Sequence, residues 1–295
     1  MGHHHTHDHS SDVKNIKAAF FLNLLFTIVE IIGGLYVNSM AILSDAVHDL
    51  GDSLSLGFSW YFQKLSKKGR DKTFSYGYKR FSVLGAIINS IVLVAGSLLI
   101  LAETVPRLWQ PVQPNAQGML LLSILGIIIN GAAVLKMKKG VSINEKVVSL
   151  HLLEDVLGWV AVLIGSIVMM FYDVPILDPL LSLLIAGFIL YNVVKNLKAS
   201  FKIILQANPQ ELNQEAIKEK VLTVPKVKSV HDLHSWTMDG NYHIMSIHIV
   251  LEKGITMGEQ MEVKSKVREV MGQQAIDHVT IEVDCVEEPC ELEDC

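Results

Sequence analysis

Cysteine is nearly absent from this chain: Cys285, Cys290 and Cys295 are the only three, all within the last eleven residues. A disulfide framework through the body of the protein is thereby excluded, and their spacing is not the two-residue gap of a zinc knuckle. Charge is scarce as well, at 19% of residues, against roughly 25% in ordinary soluble domains. No His-Glu-x-x-His motif occurs, which removes a membrane metalloprotease, and no enzymatic activity is expected. Positive charge is missing from alternate hydrophilic stretches. Val37-Asn38-Ser39 has none, the region around Pro106–Pro114 has only Arg107, and Tyr172-Asp173-Val174-Pro175 carries an acid.

What the chain has instead is apolar residue, half of the total. Up to about Asn196 it falls into six runs of the ~20 residues needed to cross ~30 Å of hydrocarbon. They are approximately Ile16–Tyr36, Met40–Phe62, Phe81–Ala102, Gln117–Leu135, Val147–Phe171 and Ile176–Leu197. No cleavable signal peptide is expected before them. Lys64, Lys67, Lys68, Arg70, Lys72, Lys79 and Arg80 lie between spans two and three, and Lys136, Lys138, Lys139 and Lys146 between four and five. The positive-inside bias places both termini in the cytoplasm; a bacterial-type inner membrane is the expected location.

Four parts are expected: a disordered histidine-rich tail (1–14), a six-helix transmembrane domain (15–205), a cytoplasmic α+β domain (206–284) and an acidic cysteine-containing tail (285–295). The opening His3-His4-His5-Thr6-His7-Asp8-His9 reads either as a purification tag or, since Thr6 and Asp8 interrupt it, as a native metal-collecting segment. In the soluble part, Gln210–Leu222 and Met257–Met271 have helical spacing. Val227–Trp236, Tyr242–Leu251 and His278–Val283 read as strands, with Gly240-Asn241 at a turn. The order αββαβ suggests a small ferredoxin-like, metallochaperone-like layer around one antiparallel sheet. No nucleic-acid partner is expected of this composition.

Two apolar spans carry the same polar pattern: Ser44-Asp45-Ala46-Val47-His48-Asp49-Leu50-Gly51-Asp52 and Leu150-His151-Leu152-Leu153-Glu154-Asp155. In each, a histidine precedes an aspartate by four residues, so both side chains share one helix face. Ionisable groups at membrane depth cost roughly 2.5–3.5 kcal/mol each and mark ion pathways. His48, Asp52, His151 and Asp155 together would offer two nitrogens and two oxygens, a tetrahedral set suited to Zn²⁺. The bland alternative is a pair of interhelical hydrogen bonds, and Asp45 with Asp49 forms a rival carboxylate pair. Asp49 and Glu154 are turned about 100° off the ligand face, so they are assigned, with Asp45 and Glu30, to an access path or to hydrogen bonds with ligands. Gly51, Gly57 and Gly158 would allow close helix approach. An imidazole must be neutral to ligate and titrates near pH 6.5, so protons and metal compete for the same lone pairs, the physical basis of proton-for-metal exchange.

The soluble part has its own histidines: His231-Asp232-Leu233-His234-Ser235-Trp236, then His243, His248 and His278, with Asp284 closing the last strand. Strand alternation puts His231 and His234 on opposite sides. A membrane-anchored metal sensor is a further reading, although anchoring alone would not need ionisable groups in the spans.

On these motifs, together with Tyr76-Gly77-Tyr78-Lys79-Arg80, Leu84-Gly85-Ala86 and Asn89, the chain resembles the cation diffusion facilitator family, and within it the zinc-type branch (zinc, cadmium, cobalt efflux). The resemblance covers nearly the whole length. It implies a homodimer in the lipid bilayer that exports divalent metal in exchange for protons by alternating access. It implies transport ligands His48, Asp52, His151 and Asp155, and cytoplasmic ligands His231, His248 and Asp284, with His278 as a further one and Cys290 and Cys295 as compensating thiols. Zn²⁺ would then be both cargo and regulator, drawing two cytoplasmic domains together and closing the cytoplasmic mouth. The histidine in span two resembles zinc-selective members. Departures are Asp71 without a histidine in the loop after span two, Ser82 in place of a glutamate, and Met261 and Glu282 in place of histidines.

Overall fold

The computed structural model describes residues 9–137 and 143–285. The tail before residue 9, Cys290, Cys295 and the side chain of His151 lie outside the described set. The helices of the apolar part are α1 (His9–Val37), α2 (Met40–Ser66), α3 (Phe81–Thr104), the single turn α4 (Pro106–Trp109), α5 (Ala116–Met137), α6 (Ile143–Phe171) and α7 (Leu177–Ile204). Four stretches are long and apolar enough to cross a membrane by length and composition: Phe81–Trp109, Ala116–Leu135, Leu152–Phe171 and Leu177–Ile204. The other two spans are weaker. Among the described residues α1 contributes the apolar segment Asn23–Val37, and α2 is interrupted by Asp45, Asp49 and Asp52. Loss of apolar character at α2 is a consequence of the very residues that make it chemically interesting.

The chain divides into two compact units, one of Met1–Tyr61 with Gly85–Leu197, the other of Phe62–Leu84 with the chain from Lys198 onward. In the first, Phe26, Val37, Ala41, Ile42, Met119, Trp159, Val162 and Met169 form a core shared by α1, α2, α5 and α6. Leu93, Ile189 and Val193 form a smaller one between α3 and α7. Glycine sets the closest approaches: a Cβ on Gly126 would stand 2.3 Å from the Trp159 ring, and one on Gly51 would stand 2.1 Å from Leu93. Gly57, by contrast, has open space beside it.

The second unit contains α8 (Gln214–Leu222), β1 (Val227–Thr237), β2 (His243–Leu251), α9 (Met257–Gln273) and β3 (His278–Cys285). The expected antiparallel sheet needs correction. β1 pairs antiparallel with β2, but β3 runs parallel to β2, in the order β1-β2-β3. The tight turn at Gly240, φ 92°, reverses β1 into β2, whereas α9 carries the chain back across the sheet, so β3 starts from the same end as β2. Central β2 is buried at most positions, and the core gathers Ile217, Val221, Met245, Ile247, Ile249, Val263, Val267 and Met271. α9 starts in a capping box between Thr256 and Glu259.

The stretch Phe62–Leu84, which joins the end of α2 to the start of α3, belongs to this unit. Asp71 accepts from the amides of Thr73 and Phe74, from Tyr78 Oη at 2.7 Å and from Lys68 Nζ at 3.1 Å. The Tyr78 hydroxyl, the Phe74 amide and Lys68 hold its carboxyl well below the usual carboxylate range. The knot presents Tyr76 edge-on to His278 (ring centroids 5.5 Å) and Lys79 over Tyr242.

Candidate metal centres

α2 and α6 place the first constellation. His48 Nε2 lies 3.6 Å from Asp52 Oδ2, one turn along its own helix, and 3.8 Å from Asp155 Oδ1 on α6. Asp155 is buried, while His48 and Asp52 are about a fifth to a quarter exposed, which leaves the pair reachable. The α2 and α6 motifs are thus adjacent, as their shared pattern requires if they serve one site. His151 occupies α6 one turn before Asp155.

Three further carboxylates sit behind this group. Asp45 faces α6, its Oδ1 3.7 Å from where a Cβ on Gly158 would stand, and it is within electrostatic reach of Asp155 and Asp52. Asp49 is turned toward α1, where the Asn23 side chain donates to its backbone carbonyl at 3.3 Å. Glu30 of α1 is fully buried beside Asp49 and Asp45. Glu154 points outward and is exposed.

The second constellation lies on the sheet. The register sets His231 of β1 opposite His248 of β2, and Asp284 of β3 one strand further on. One donor atom each of His231, His248 and Asp284 lies within 4.8 Å of the others. His231 Nε2 is 3.2 Å and His248 Nδ1 is 3.4 Å from the same atom, Asp284 Oδ2. Donors of a tetrahedral zinc site with bonds of roughly 2.0–2.1 Å stand roughly 3.3 Å apart, so these spacings fit the ion. Among the described residues, His231 Nε2 and Asp284 Oδ2 are buried and make no hydrogen bond. A buried donor and acceptor left in this way cost free energy unless something binds them.

Other candidates fall elsewhere. His278 is six residues before Asp284 on β3, roughly 20 Å along a strand, and it meets Tyr76 rather than the cluster. His234 is turned outward onto Asp232 at 2.7 Å. Asp232 was missed in the sequence. Its Oδ2 lies 3.3 Å from His248 Nε2, and Glu282 Oε2 lies 3.5 Å from the same nitrogen. The register slips between His231 and His234, with Asp232 at φ 47°. That bulge breaks the alternation that would have turned Asp232 away, and the only sign of it in sequence is an aspartate, a residue tolerant of positive φ, inside a strand.

An apolar helical bundle with an inward-facing imidazole and carboxylates, continuing into a small mixed sheet with a histidine–aspartate cluster, defines an integral membrane protein with two metal-type constellations. Residues 16–205 match the family described as cation efflux transmembrane domain. Residues 209–286 match the cation efflux protein cytoplasmic domain, known as the ZT dimer domain. The chain belongs to the cation diffusion facilitator family, in its zinc-type branch, a family of metal cation efflux transporters and not of enzymes. It is 31% identical to the "Cadmium, cobalt and zinc/H(+)-K(+) antiporter" of Bacillus velezensis, over 96% of this chain and 92% of that one. It is 32% identical to "Metal cation efflux system protein CzcD" of Cupriavidus metallidurans, over 100% and 93%. With "Zinc transporter ZitB" of Pectobacterium atrosepticum it shares 31% identity over 84% and 78%.

Proposed function

We propose that this protein exports zinc from the cytoplasm in exchange for protons, by alternating access around a site made of His48, Asp52, His151 and Asp155. The observation that carries this reading is the approach of one imidazole nitrogen of α2 to carboxylates on both α2 and α6. Ionisable groups at membrane depth are costly and mark ion pathways. The spacings of 3.6 and 3.8 Å are slightly wider than a bound tetrahedral ion requires and close on small side-chain rotations. Competition between proton and metal for the same donors supplies the coupling. Cadmium and cobalt are a second cargo reading, favoured by the likeness to the cadmium, cobalt and zinc antiporter of Bacillus velezensis.

In this reading the protein is a homodimer of the inner membrane with both termini in the cytoplasm. The dimer rests on the match to the ZT dimer domain, the orientation on loop charge. His231, His248 and Asp284 hold a regulatory zinc, with Asp232 and Glu282 orienting His248 from its other nitrogen. The test is zinc-driven proton movement in sealed liposomes, with unmodified protein and Asp155→Ala compared. Zinc-dependent flux lost in the variant is the expected result. Flux retained there would keep transport but move its ligands, with Asp45 and Asp49 next in line, and no flux from either folded protein would favour the sensor reading.

A further inference from the structure

A separate buried polar arrangement lies at the start of α2. Ser39 is the residue before the helix, and its Oγ accepts from the amide of Ile42 at 3.2 Å, an N-cap contact. The two amides between them both donate to Asp178, in the first turn of α7: Met40 N to Oδ2 at 2.7 Å and Ala41 N to Oδ1 at 3.3 Å. Ser39 Oγ also donates to Asp178 Oδ1, at 2.5 Å. Asp178 is 1% exposed, and its hydrogen-bond partners among the described residues all belong to Ser39–Ala41. The turn just before is held as well, with Arg107 donating to the Asn38 carbonyl at 3.1 Å and to Asn38 Oδ1 at 2.9 Å. One turn further along α2, Ser44 shares a hydrogen bond with Ser182 at 2.7 Å, and Ser182 with Thr104 at 3.0 Å.

A carboxylate buried in protein is expensive unless it is hydrogen-bonded, and three charge-assisted donors at the positive end of a helix offset the cost. Ser39 alone satisfies one amide, and the side-chain and carbonyl oxygens of Asn38 are already engaged by Arg107. A helix is stiff, and successive residues are about 100° apart around its axis. A change in where α2 begins therefore turns His48 and Asp52, about 12 Å and 18 Å further along, relative to Asp155.

We propose that Asp178 is a positioning residue for metal transport: as an acceptor supplied from α7 to the N-terminus of α2, it fixes the axial setting of the helix that presents His48 and Asp52. This rests on the antiport reading above. The experiment measures zinc-dependent proton flux, as KM and maximal rate, in liposomes of unmodified protein, Asp178→Ala, Asp178→Asn and the double variant Ser39→Asp/Asp178→Ala, each checked for monodisperse folded protein. Asp178→Ala is expected to raise the KM for zinc about tenfold, and the isosteric Asp178→Asn, which keeps one acceptor oxygen, less. The double variant returns a carboxylate to the cap from α2 itself and is expected to recover most of the KM. A KM unchanged in both single variants overturns the proposal, as does a double variant no better than Asp178→Ala, since a residue that carries metal or protons is not replaced by a carboxylate at position 39. If Asp178→Ala does not fold, Asp178→Asn decides alone by its KM. Absence of flux from unmodified protein would instead sink the antiport reading.

Discussion

His48 approaches both of its carboxylates through a single nitrogen, Nε2, with Asp52 on its own helix and Asp155 across the bundle. The two acids are therefore not equivalent. Asp52 follows α2 wherever it goes, whereas the Asp155 contact exists only while α2 and α6 keep their present setting. Asp155→Asn, which keeps volume but removes charge, is expected to lower zinc turnover by roughly 100-fold at fixed zinc, as measured by flux in liposomes. In the soluble unit, one oxygen of Asp284 meets both His231 and His248. Asp284→Ala should weaken zinc binding there by about 10–100-fold, read by titration of the full-length protein with its transport site disabled. His278→Ala should leave that affinity unchanged. The pairing of His48 with Asp52 was legible from spacing alone, as was the likeness of the α6 motif. The place of Asp232 was not, because it depends on a register slip that no periodicity announces.

At the scale of the element, Glu259 gives a measurable handle. The Lys226 ammonium, 2.5 Å away, together with the amide and hydroxyl of Thr256, lowers its pKa from 4.5 to about 2. A depressed folded value means that the cap's contribution is present above the unfolded value and is lost as pH falls from about 4.5 toward about 2. Exchange protection in the first turn of α9, relative to the intrinsic rate at each pH, should fall across that window in the unmodified protein, and this pH dependence should flatten in Glu259→Gln. Between α5 and α6 the limit is steric. Gly126→Ala drives a methyl into the Trp159 ring and should destabilise the bundle by about 1–3 kcal/mol in thermal unfolding. Gly57→Ala, with nothing within 4 Å, serves as the neutral comparison. Helix existence followed from apolar length, but α2 falls short of a clear membrane span by composition, since its acids dilute the pattern. The strands were legible too. Their pairing was misjudged because a helical crossover, not a turn, joins β2 to β3.

For the whole molecule, the proposed cytoplasmic cluster and transport site suggest a protein whose export responds to the metal it removes. Zinc is expected to tighten association of the two cytoplasmic domains in the full-length dimer, seen as a shorter distance between spin labels on α9 of each protomer. That shortening should disappear in His231→Ala and persist in Asp155→Ala. A shortening that survived His231→Ala would mean that the cluster is not the sensor. Sequence alone determined that the chain enters a membrane, which helices carry paired histidine and aspartate, and which family it resembles, because apolar length and side-chain spacing along one helix are local properties. Tertiary structure decided which residues meet across elements. Asp155 reaches His48, Asp178 caps α2, and Asp232 joins His248 while His278 does not, because these contacts depend on helix packing and strand register, which are set by the core as a whole.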